Sequence, residues 1–463
     1  MKHFAALILS MLSIAALADA PPNFVFVLVD DLGRQDVGVY GSSLYETPHM
    51  DRLAADGLRF DNAYVAHPRC LPSRLASLSG RYPASYGIPG FQDRKNTQHA
   101  LPLATVTFGE VLQEAGYETG YIGKWHLGKS GGEPLYQGFG TSIMAGASGA
   151  PPSYFWPYEK RHGDDGGKGF EPYTGGQEGE YLIDRMTDEA LHFIEQKKDS
   201  PFLLVLAHYA VHSPIQAPED LSGKYRAKIT EQGIAQGGPR SDRDVAVDNT
   251  VQYKTVQNNA VYAAMVESVD TNLGRIVDRL AELGLTENTV IVLTSDHGGL
   301  SSRGLESKRE LATSNLPYRH GKGWLYDGGI RVPMIVKWPA GVKAGTVSRV
   351  QVTGTDHFPS LLELAGLPLQ PDHHRDGRSY LPALQGAEYV RDPMFFHSAL
   401  GRPAQTGDTR SSAVIHGDWK LIQWYSLEDE SIERTELFNL EQDPAEKEDR
   451  YAADTDNARE LEA

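Results

Sequence analysis

Short runs of apolar residues recur along the chain and alternate with stretches of helical periodicity. The first run, residues 23–29, is almost entirely apolar and rich in β-branched residues, which predicts a strand buried on both faces. The longest helical pattern covers residues 258–283 and is followed by Gly284, a residue suited to ending a helix. Four further runs have the character of buried strands: residues 117–122, 202–207, 289–294 and 332–336. This alternation predicts an α/β fold in which helices cover both faces of a sheet.

Polar residues directly follow every one of these predicted strands except the last. The four clusters are Asp30-Asp31, Gly123-Lys124-Trp125-His126, His208 with His212, and Ser295-Asp296-His297-Gly298. Any single cluster is also what an ordinary strand end looks like where a loop meets solvent. Because ligands bind outside the carboxyl ends of the strands in open α/β sheets, the four clusters together indicate a binding site. We interpret His208 as a structural residue or as one that supports the site from behind.

The acidic members of these clusters indicate a metal ion. Asp30, Asp31 and Asp296 would repel one another where two strands converge, and a divalent cation would remove that repulsion. Oxygen ligands favour a hard ion such as Ca²⁺ or Mg²⁺. His297 fits less well, because an imidazole nitrogen is better suited to Zn²⁺ or Mn²⁺.

The N-terminus has the pattern of a signal peptide over residues 1–20. Lys2 precedes the apolar run at residues 5–18, and small-x-small cleavage patterns end at Ala18 and Ala20. The run is too short for a comfortable transmembrane helix, and no later stretch approaches the roughly 18 apolar residues that a span needs. We therefore expect an exported protein, periplasmic or secreted, with no integral membrane segment after cleavage. The alternative is an uncleaved membrane anchor.

Composition narrows the class of protein. The chain has 463 residues, 40% of them hydrophobic, which is ordinary for a globular protein and excludes a disordered or polytopic membrane chain. Lys and Arg total 44 against 61 Asp and Glu, a net charge of -17. So acidic a chain is a poor candidate for nucleic-acid binding, which depends on neutralising phosphates. A binding site for an anion would therefore need Lys and Arg side chains clustered around it, despite this overall negative charge.

Cys70 is the only cysteine, so no disulfide can form within the chain. Pro72 suits the first turn of a helix and Gly80 suits its end, which predicts a short helix that begins beside the cysteine. The N–H groups at such a helix start favour an anion. A lone cysteine is either a small buried apolar residue or a reactive one, and its neighbours decide which.

Residues 70–74, Cys-Leu-Pro-Ser-Arg, lead into a small-residue helix and Gly80-Arg81, and they resemble the signature of type I sulfatases. Further blocks in the family's order are Asp30-Asp31, residues 123–128, His212-Ser213-Pro214, and residues 295–298, 321–323, 326–333 and 436–440. The resemblance extends from about residue 23 to the C-terminus. It implies an alkaline-phosphatase/sulfatase-like α/β fold, with a large mixed β-sheet sandwiched by helices. Residues 21–375 would form this catalytic domain, and residues 376–463 a smaller C-terminal subdomain of antiparallel sheet plus helix.

The resemblance also implies the nucleophile and the metal ligands. Cys70 would be oxidised to formylglycine by a dedicated maturase, a transient partner, and the aldehyde hydrate would attack sulfur. An oxygen of that hydrate would bind the ion together with Asp30, Asp31, Asp296 and His297. Ca²⁺ is the usual ion of the family, with Mg²⁺ or Mn²⁺ as alternatives.

Five further residues take their roles from the same resemblance. Arg74 lies one helical turn after residue 70 and would hold the hydrate in position. Lys124 and Lys322 would bind sulfate oxygens. His212 would join them and protonate the leaving alcohol, and His126 would be the base that expels sulfate and restores the aldehyde.

The substrate is a separate question. Residues 142–176 are rich in Gly, Pro and aromatic residues, and they could stack on sugar rings or form an ordinary packed loop. Residues 373–376, His-His-Arg-Asp, could contact glycan hydroxyl or carboxyl groups. These loops predict a sulfatase for a sulfated polysaccharide or oligosaccharide. The alternatives are a phosphonate or phosphate ester hydrolase of the same superfamily and a non-catalytic glycan-binding homologue, although a binder would have no need of Cys70.

Overall fold

The computed structural model describes residues 21–87, 101–128, 131–158, 176–237 and 244–463. The predicted signal peptide, residues 1–20, lies outside them. The strands are β1 (Asn23–Val29), β2 (Leu58–Tyr64), β3 (Glu118–Gly123), β4 (Thr141–Ile143), β5 (Phe202–Ala207), β6 (Val245–Asp248), β7 (Val251–Lys254), β8 (Thr289–Ser295), β9 (Ser302–Gly304), β10 (Met334–Lys337), β11 (Thr346–Thr353), β12 (Met394–Ser398), β13 (Ser411–His416), β14 (Trp419–Tyr425) and β15 (Ile432–Asn439). The helices are α1 (Pro48–Asp56), α2 (Cys70–Ser79), α3 (Phe108–Glu114), α4 (Leu182–Lys197), α5 (Glu219–Glu231), α6 (Ala260–Glu282), α7 (Asp327–Ile330), α8 (His357–Leu364), α9 (Leu381–Leu384) and α10 (Thr455–Glu462).

Eight strands form the main sheet, in the order β11-β2-β10-β8-β1-β5-β3-β4. β1 pairs in parallel with both β5 and β8, and β3 pairs in parallel with β5. β10 is antiparallel to both of its neighbours, β8 and β2. The predicted mixed sheet is therefore confirmed. The reversed direction of β10 also explains why no polar cluster follows it, because its carboxyl end lies at the opposite edge of the sheet.

Alternate residues of β1 enter different hydrophobic cores. Val25 and Val27 pack in one core with the long helices α4 and α6, whereas Phe24 and Phe26 pack in the other with α3 and α8. Successive side chains of a strand point to opposite faces, so a strand covered on both faces must be apolar throughout. The almost continuous apolar run at residues 23–29 is thus a direct result of helices lying on both sides of the sheet.

The boundaries of three predicted strands differ from the structure by one or two residues. β8 extends one residue further than predicted, to Ser295. β10 begins at Met334 because Pro333 has no N–H to donate to a neighbouring strand. β3 begins at Glu118 because the N–H of Tyr117 bonds to the carbonyl of Leu112 in the turn after α3.

The predicted helix at residues 258–283 is present as α6. The Asn259 side chain accepts hydrogen bonds from the N–H groups of Val261 and Tyr262, each at 3.2 Å, and so caps the helix start. Gly284, with φ of +69°, follows the last turn. Among the described residues, no helix has both the length and the apolar character required to cross a bilayer.

Residues after the main sheet form a second, antiparallel sheet in the order β12-β13-β14-β15. One face packs on Trp324, Tyr326 and Ile330 from the loop and short helix that precede β10. Ala458 of α10 packs on the other face, beside β14 and β15. The predicted C-terminal sheet plus helix is therefore present, while the domain boundary at residue 376 stays a prediction.

A pair of glycine substitutions tests how tightly α2 is held. Gly80 ends α2 with φ of +66°, and an added Cβ would lie 2.5 Å from Cβ of His374. Gly284 has a similar φ of +69° but has open space around it. We expect Gly284→Ala to cost about 1–2 kcal/mol from backbone strain alone, and Gly80→Ala to cost more because residues 373–376 must also move. Thermal unfolding of both variants measures the difference; equal losses would contradict it.

Candidate active site

Two neighbouring parallel strands bring three carboxylates together. Val29 of β1 pairs with Ser295 of β8, so the residues that follow, Asp30-Asp31 and Asp296, leave the sheet side by side. The N–H of Asp31 donates to Oδ1 of Asp296 at 3.3 Å. All three aspartates are buried. The three carboxylates therefore lie close together in the structure, as the sequence predicted.

Helix α2 places Cys70 beside this group. The helix begins at Cys70, six residues after β2 ends at the same edge of the sheet, and the Cys70 Sγ lies 3.1 Å from Nε2 of His297. Arg74, one turn later, donates from Nε to Oδ2 of Asp296 at 2.8 Å and from Nη1 to the carbonyl of Lys124 at 2.7 Å. Arg74 therefore fixes the helix against both the carboxylates and the end of β3.

The cluster has the composition of a divalent-cation site. Ligand atoms of Asp30, Cys70, Asp296 and His297 lie within 4.8 Å of one another, and Asp31 and His212 complete a second such set with Asp30 and Cys70. Oδ1 of Asp30 is buried without a hydrogen-bond partner in the described part of the chain. Burial, and then the charge of Asp296, raise the pKa of Asp30 well above its ordinary value. A bound cation would favour the ionised form of this carboxylate, so the residues fit a hard divalent ion.

Two buried lysines border the carboxylates. The Lys124 ammonium bonds to Asp30, and the Nζ of Lys322 donates to Oδ1 of Asp31 at 2.6 Å. Burial raises the pKa of the Cys70 thiol, but Lys124, Lys322 and His297 more than offset it and hold that pKa well below its ordinary value. Residue 70 therefore lies in a strongly positive field. In a chain with a net charge of -17, the cations have been gathered at the point where an anion would bind.

Two histidines face the same centre. His126 is hydrogen-bonded to Cys70, and burial lowers its pKa, so the neutral ring can accept a proton. An added Cβ at Gly149 would lie 2.5 Å from the ring of His126, so that glycine lets the chain pass close behind it. The Nδ1 of His212 lies 2.7 Å from the carbonyl of Ser213, which requires the proton on Nδ1 and leaves Nε2 as an acceptor. Burial, with the charge of Lys322, lowers the pKa of His212 to about 3.

That protonation state bears on the predicted role of His212. A neutral ring cannot donate a proton from Nε2, so the imidazole is an acid only when an anion bound beside Lys322 raises its pKa. His208, four residues earlier, is buried, its pKa is lowered to about 4 by burial, and it belongs to neither ligand cluster. Its structural interpretation therefore fits the geometry.

The profile of the Sulfatase family matches residues 22–367, three quarters of the chain. The chain belongs to the sulfatase family. A second profile, N-sulphoglucosamine sulphohydrolase, C-terminal, matches residues 319–462. The chain is thus a type I sulfatase and a sulfuric ester hydrolase, as the motifs predicted.

Relatives of this sulfatase align over most of its length. It is 32% identical to the N-acetylgalactosamine-6-sulfatase of Homo sapiens, covering 88% of this chain and 72% of that protein. It is 29% identical to the steryl-sulfatase of Homo sapiens, over 82% of this chain and 72% of that one. The crystal structure of Ps i-CgsB in complex with k-i-k-neocarrahexaose superposes with a TM-score of 0.76 at 27% identity, covering 95% and 91% of the two chains.

The phosphonate monoester hydrolase of Agrobacterium radiobacter shares the fold of this sulfatase. Its TM-score is 0.62 at 17% identity, over 95% of this chain and 94% of that one. At that identity the likeness shows a common architecture and carries no argument about the reaction.

A buried ion pair directly beside Cys70 could not be read from the sequence of this sulfatase. Arg69, directly before Cys70, donates to both carboxylate oxygens of Asp408 at 2.7 and 2.6 Å and to the hydroxyl of Thr406 at 3.1 Å. Gly323, next to Lys322, lies against this pair, since an added Cβ would be 2.6 Å from Oδ1 of Asp408. The arginine was visible in the sequence, but its partner 339 residues away was not.

The aromatic segment at residues 154–158 divides between core and partly buried positions. Tyr154 and Tyr158 are buried in the core, and the Tyr154 hydroxyl donates to the carbonyls of Tyr209 and His212 at 2.7 and 2.9 Å. Trp156 is partly buried against the same core. Tyr154 therefore positions the His212 loop rather than a sugar. Residues 159–175, part of the stretch for which the sequence left sugar stacking and a packed loop open, lie outside the described residues.

Backbone conformation at two site residues could not be read from the sequence. Asp31 and His126 have φ of +63° and +64°, in the left-handed region that residues other than glycine rarely adopt. Such conformations cost roughly 1–3 kcal/mol and persist only where the surroundings enforce them, often at active sites.

If the carboxylate cluster of this sulfatase binds a divalent ion, removing that ion should lower both activity and stability. The carboxylates of Asp30, Asp31 and Asp296 would then be offset only by the basic side chains around them. We expect exhaustive chelation to abolish sulfate ester hydrolysis and to lower Tm by about 3–4 °C, the shift that loss of about 2.7–4.1 kcal/mol of binding stabilisation causes in a chain of this length. Asp296→Asn is the control, because its Tm should no longer respond to chelation. Full activity in chelated protein that contains no metal by elemental analysis would contradict the assignment.

Proposed function

We propose that this sulfatase hydrolyses sulfate esters of a sulfated polysaccharide or oligosaccharide, using a formylglycine derived from Cys70 and a bound Ca²⁺ ion. The observation that carries the proposal is the position of residue 70. It stands at the start of α2, 3.1 Å from His297, within the carboxylate cluster and beside the two buried lysines that pair with it. A thiol used only for packing has no reason to occupy such a field.

The carbohydrate substrate is supported by particular relatives. The N-acetylgalactosamine-6-sulfatases and the complex with neocarrahexaose are named for sugar ligands. The steryl-sulfatases, at slightly lower identity, are not, so membership of the family does not by itself fix the substrate. The near-complete overlap with the neocarrahexaose complex favours a glycan.

Different side chains would bind the ion and the sulfate group. The hydrate of formylglycine would supply the attacking oxygen, and Ca²⁺ would supply positive charge; Asp30, Asp31, Asp296 and His297 would hold the ion. Lys124 and Lys322 are donors aimed at the cluster, and they would hold the oxygens of a sulfate group bound at residue 70. Preorganised donors of this kind stabilise charge that develops in the transition state without reorganising.

Two histidines would move protons. Neutral His126, hydrogen-bonded at residue 70, is placed to accept a proton there. His212 would give its proton to the leaving alcohol once the bound sulfate has raised its pKa. Arg74, whose Nη2 is buried without a partner among the described residues, is placed to hold the modified side chain.

We also propose how residue 70 matures and where the protein is exported. A formylglycine at position 70 requires a maturase that acts as a transient partner before folding. The signal peptide at residues 1–20 would export the chain to the periplasm or beyond. Both remain inferences from the sequence.

The nucleophile is tested by Cys70→Ser. Serine cannot be converted to the aldehyde by an oxygen-dependent maturase that acts on cysteine, so activity should fall by roughly 10³-fold or more, as for loss of other catalytic nucleophiles. Tm should be unchanged. The wild-type peptide containing residue 70 should have the mass expected for an aldehyde. Near-native turnover by the variant would overturn the mechanism.

Parallel assays on matched sulfate and phosphate esters test the reaction class. A clear preference for the phosphate ester would favour the alternative hydrolase.

Reconstitution of chelated protein with Ca²⁺, Mg²⁺ or Mn²⁺ in the same assays identifies the ion that restores most activity, and we expect Ca²⁺.

The lysines are tested by Lys322→Ala. Loss of one preorganised donor should reduce kcat by roughly 10²–10³-fold, about 2.7–4 kcal/mol. The reduction should be smaller for a nitrophenyl sulfate, because a good leaving group leaves less charge to stabilise. Lys308→Ala is a matched control at an exposed lysine outside the cluster. A change in KM alone would show that Lys322 docks the substrate without acting in the transition state.

A further inference from the structure

A cavity of about 660 Å³ lies outside the catalytic cluster. It is bounded by the turn after α2, by residues 375–378, and by the edge strand β12 of the C-terminal sheet. Its volume is within the range of small-molecule and oligosaccharide sites, about 300–1,000 Å³. No role in the hydrolysis described above uses these residues.

Aromatic rings stand at the mouth of the cavity. β12 alternates buried and exposed residues, so Phe395 and His397 share the face turned away from the core beneath Trp324 and Tyr326. Phe395 is 56% exposed, unusual for so large an apolar side chain, and its ring meets Tyr82 edge-on at 6.4 Å. An exposed phenylalanine beside a partly buried tyrosine in the cavity lining offers flat apolar surface on which a sugar ring can pack.

Cationic groups surround these rings. Arg391 is paired with buried Asp356 at 2.5 Å, and Arg378 with Asp392 at 2.9 Å. Arg375 is exposed and has no ion-pair partner among the described residues. The guanidinium of Arg375 is therefore open to an anionic group of a ligand, next to Asp376, whose carboxylate accepts the N–H of Tyr82 at 2.6 Å.

A polar group completes the lining. The Nδ1 of His397 contacts the Ser412 hydroxyl at 2.8 Å, which leaves Nε2 available to a ligand. Ala66, which also lines the cavity, precedes Cys70 by four residues. Because an extended chain spans at most about 3.3–3.6 Å per residue, this part of the wall lies within roughly 15 Å of residue 70.

We propose that this cavity is a second, non-catalytic binding site that holds a sulfated polysaccharide near the active site. Phe395 and Tyr82 would pack against a sugar ring, while Arg375 would contact a sulfate or carboxylate of the chain. Holding the polymer there would raise the effective concentration of its sulfate esters at residue 70. The inference rests on the proposed function, because its ligand is the polymer that the sulfatase is proposed to hydrolyse.

Affinity gel electrophoresis of the full chain tests the site without turnover. The probes are chondroitin 6-sulfate, carrageenan and heparin, each beside its chemically desulfated form. We expect retention by at least one sulfated polymer, and a roughly five- to tenfold weaker retention for Phe395→Ala and for Arg375→Ala, the loss typical of one aromatic or charged contact. The KM for that polymer should rise, with kcat and KM for a small aryl sulfate unchanged.

Two control variants match the test residues. Ile432→Ala removes a 53% exposed apolar side chain on β15, in the same sheet, and Arg52→Ala removes an exposed arginine on α1. Both should be retained like the wild type.

Three results would overturn the site. They are retention unchanged in both test variants, equal retention by sulfated and desulfated polymers, and conversion of a dimer to a monomer by Phe395→Ala in light scattering. The last would show that the cavity face joins two copies of this chain. The proposed function fails separately, through absence of hydrolysis on every sulfated glycan, since retention is read without it.

Discussion

The structure depends on a balance of buried charge at one edge of the main sheet. Asp30, Asp31 and Asp296 would not be buried together unless positive groups offset them. Arg74, Lys124 and Lys322 each make a direct ion pair with one of the three. Side chains from α2, β3 and the loop before β10 are thereby tied to β1 and β8, so the same contacts that assemble a site for an anion hold separate elements together.

Strand direction decides which residues can take part in this balance. β1, β3, β5 and β8 all run the same way, so whatever follows them meets at one edge. The helix that carries Cys70 begins just after β2, which runs in the same direction because β10 is antiparallel to both β2 and β8. The residues of the candidate site are therefore far apart in sequence, and they meet because they follow strands that run in the same direction.

Much of the fold and of the candidate site could be predicted, because these features depend on short stretches of neighbouring residues. The buried strands, the start of α2 and the polar clusters each follow from a few adjacent residues. The order of the strands and the partner of Arg69 do not, since they depend on contacts between residues far apart in the chain, 339 positions apart for Arg69 and Asp408. The segment around Tyr154 shows a different limit. Its composition suits both a sugar platform and a packed core, and only the hydroxyl contacts to the His212 loop distinguish them.

The Arg69–Asp408 pair joins the residue before the nucleophile to a loop of the C-terminal part. Either partner alone would leave a buried charge without compensation, a loss that commonly costs about 3–5 kcal/mol. The two positions therefore constrain each other in evolution. A recombination event that exchanged the C-terminal part with that of a relative would be tolerated only if the incoming loop also supplied a carboxylate for Arg69. Surfaces carried on that part can thus diverge freely by substitution, while their exchange as a block between lineages is restricted to chains that share this pair.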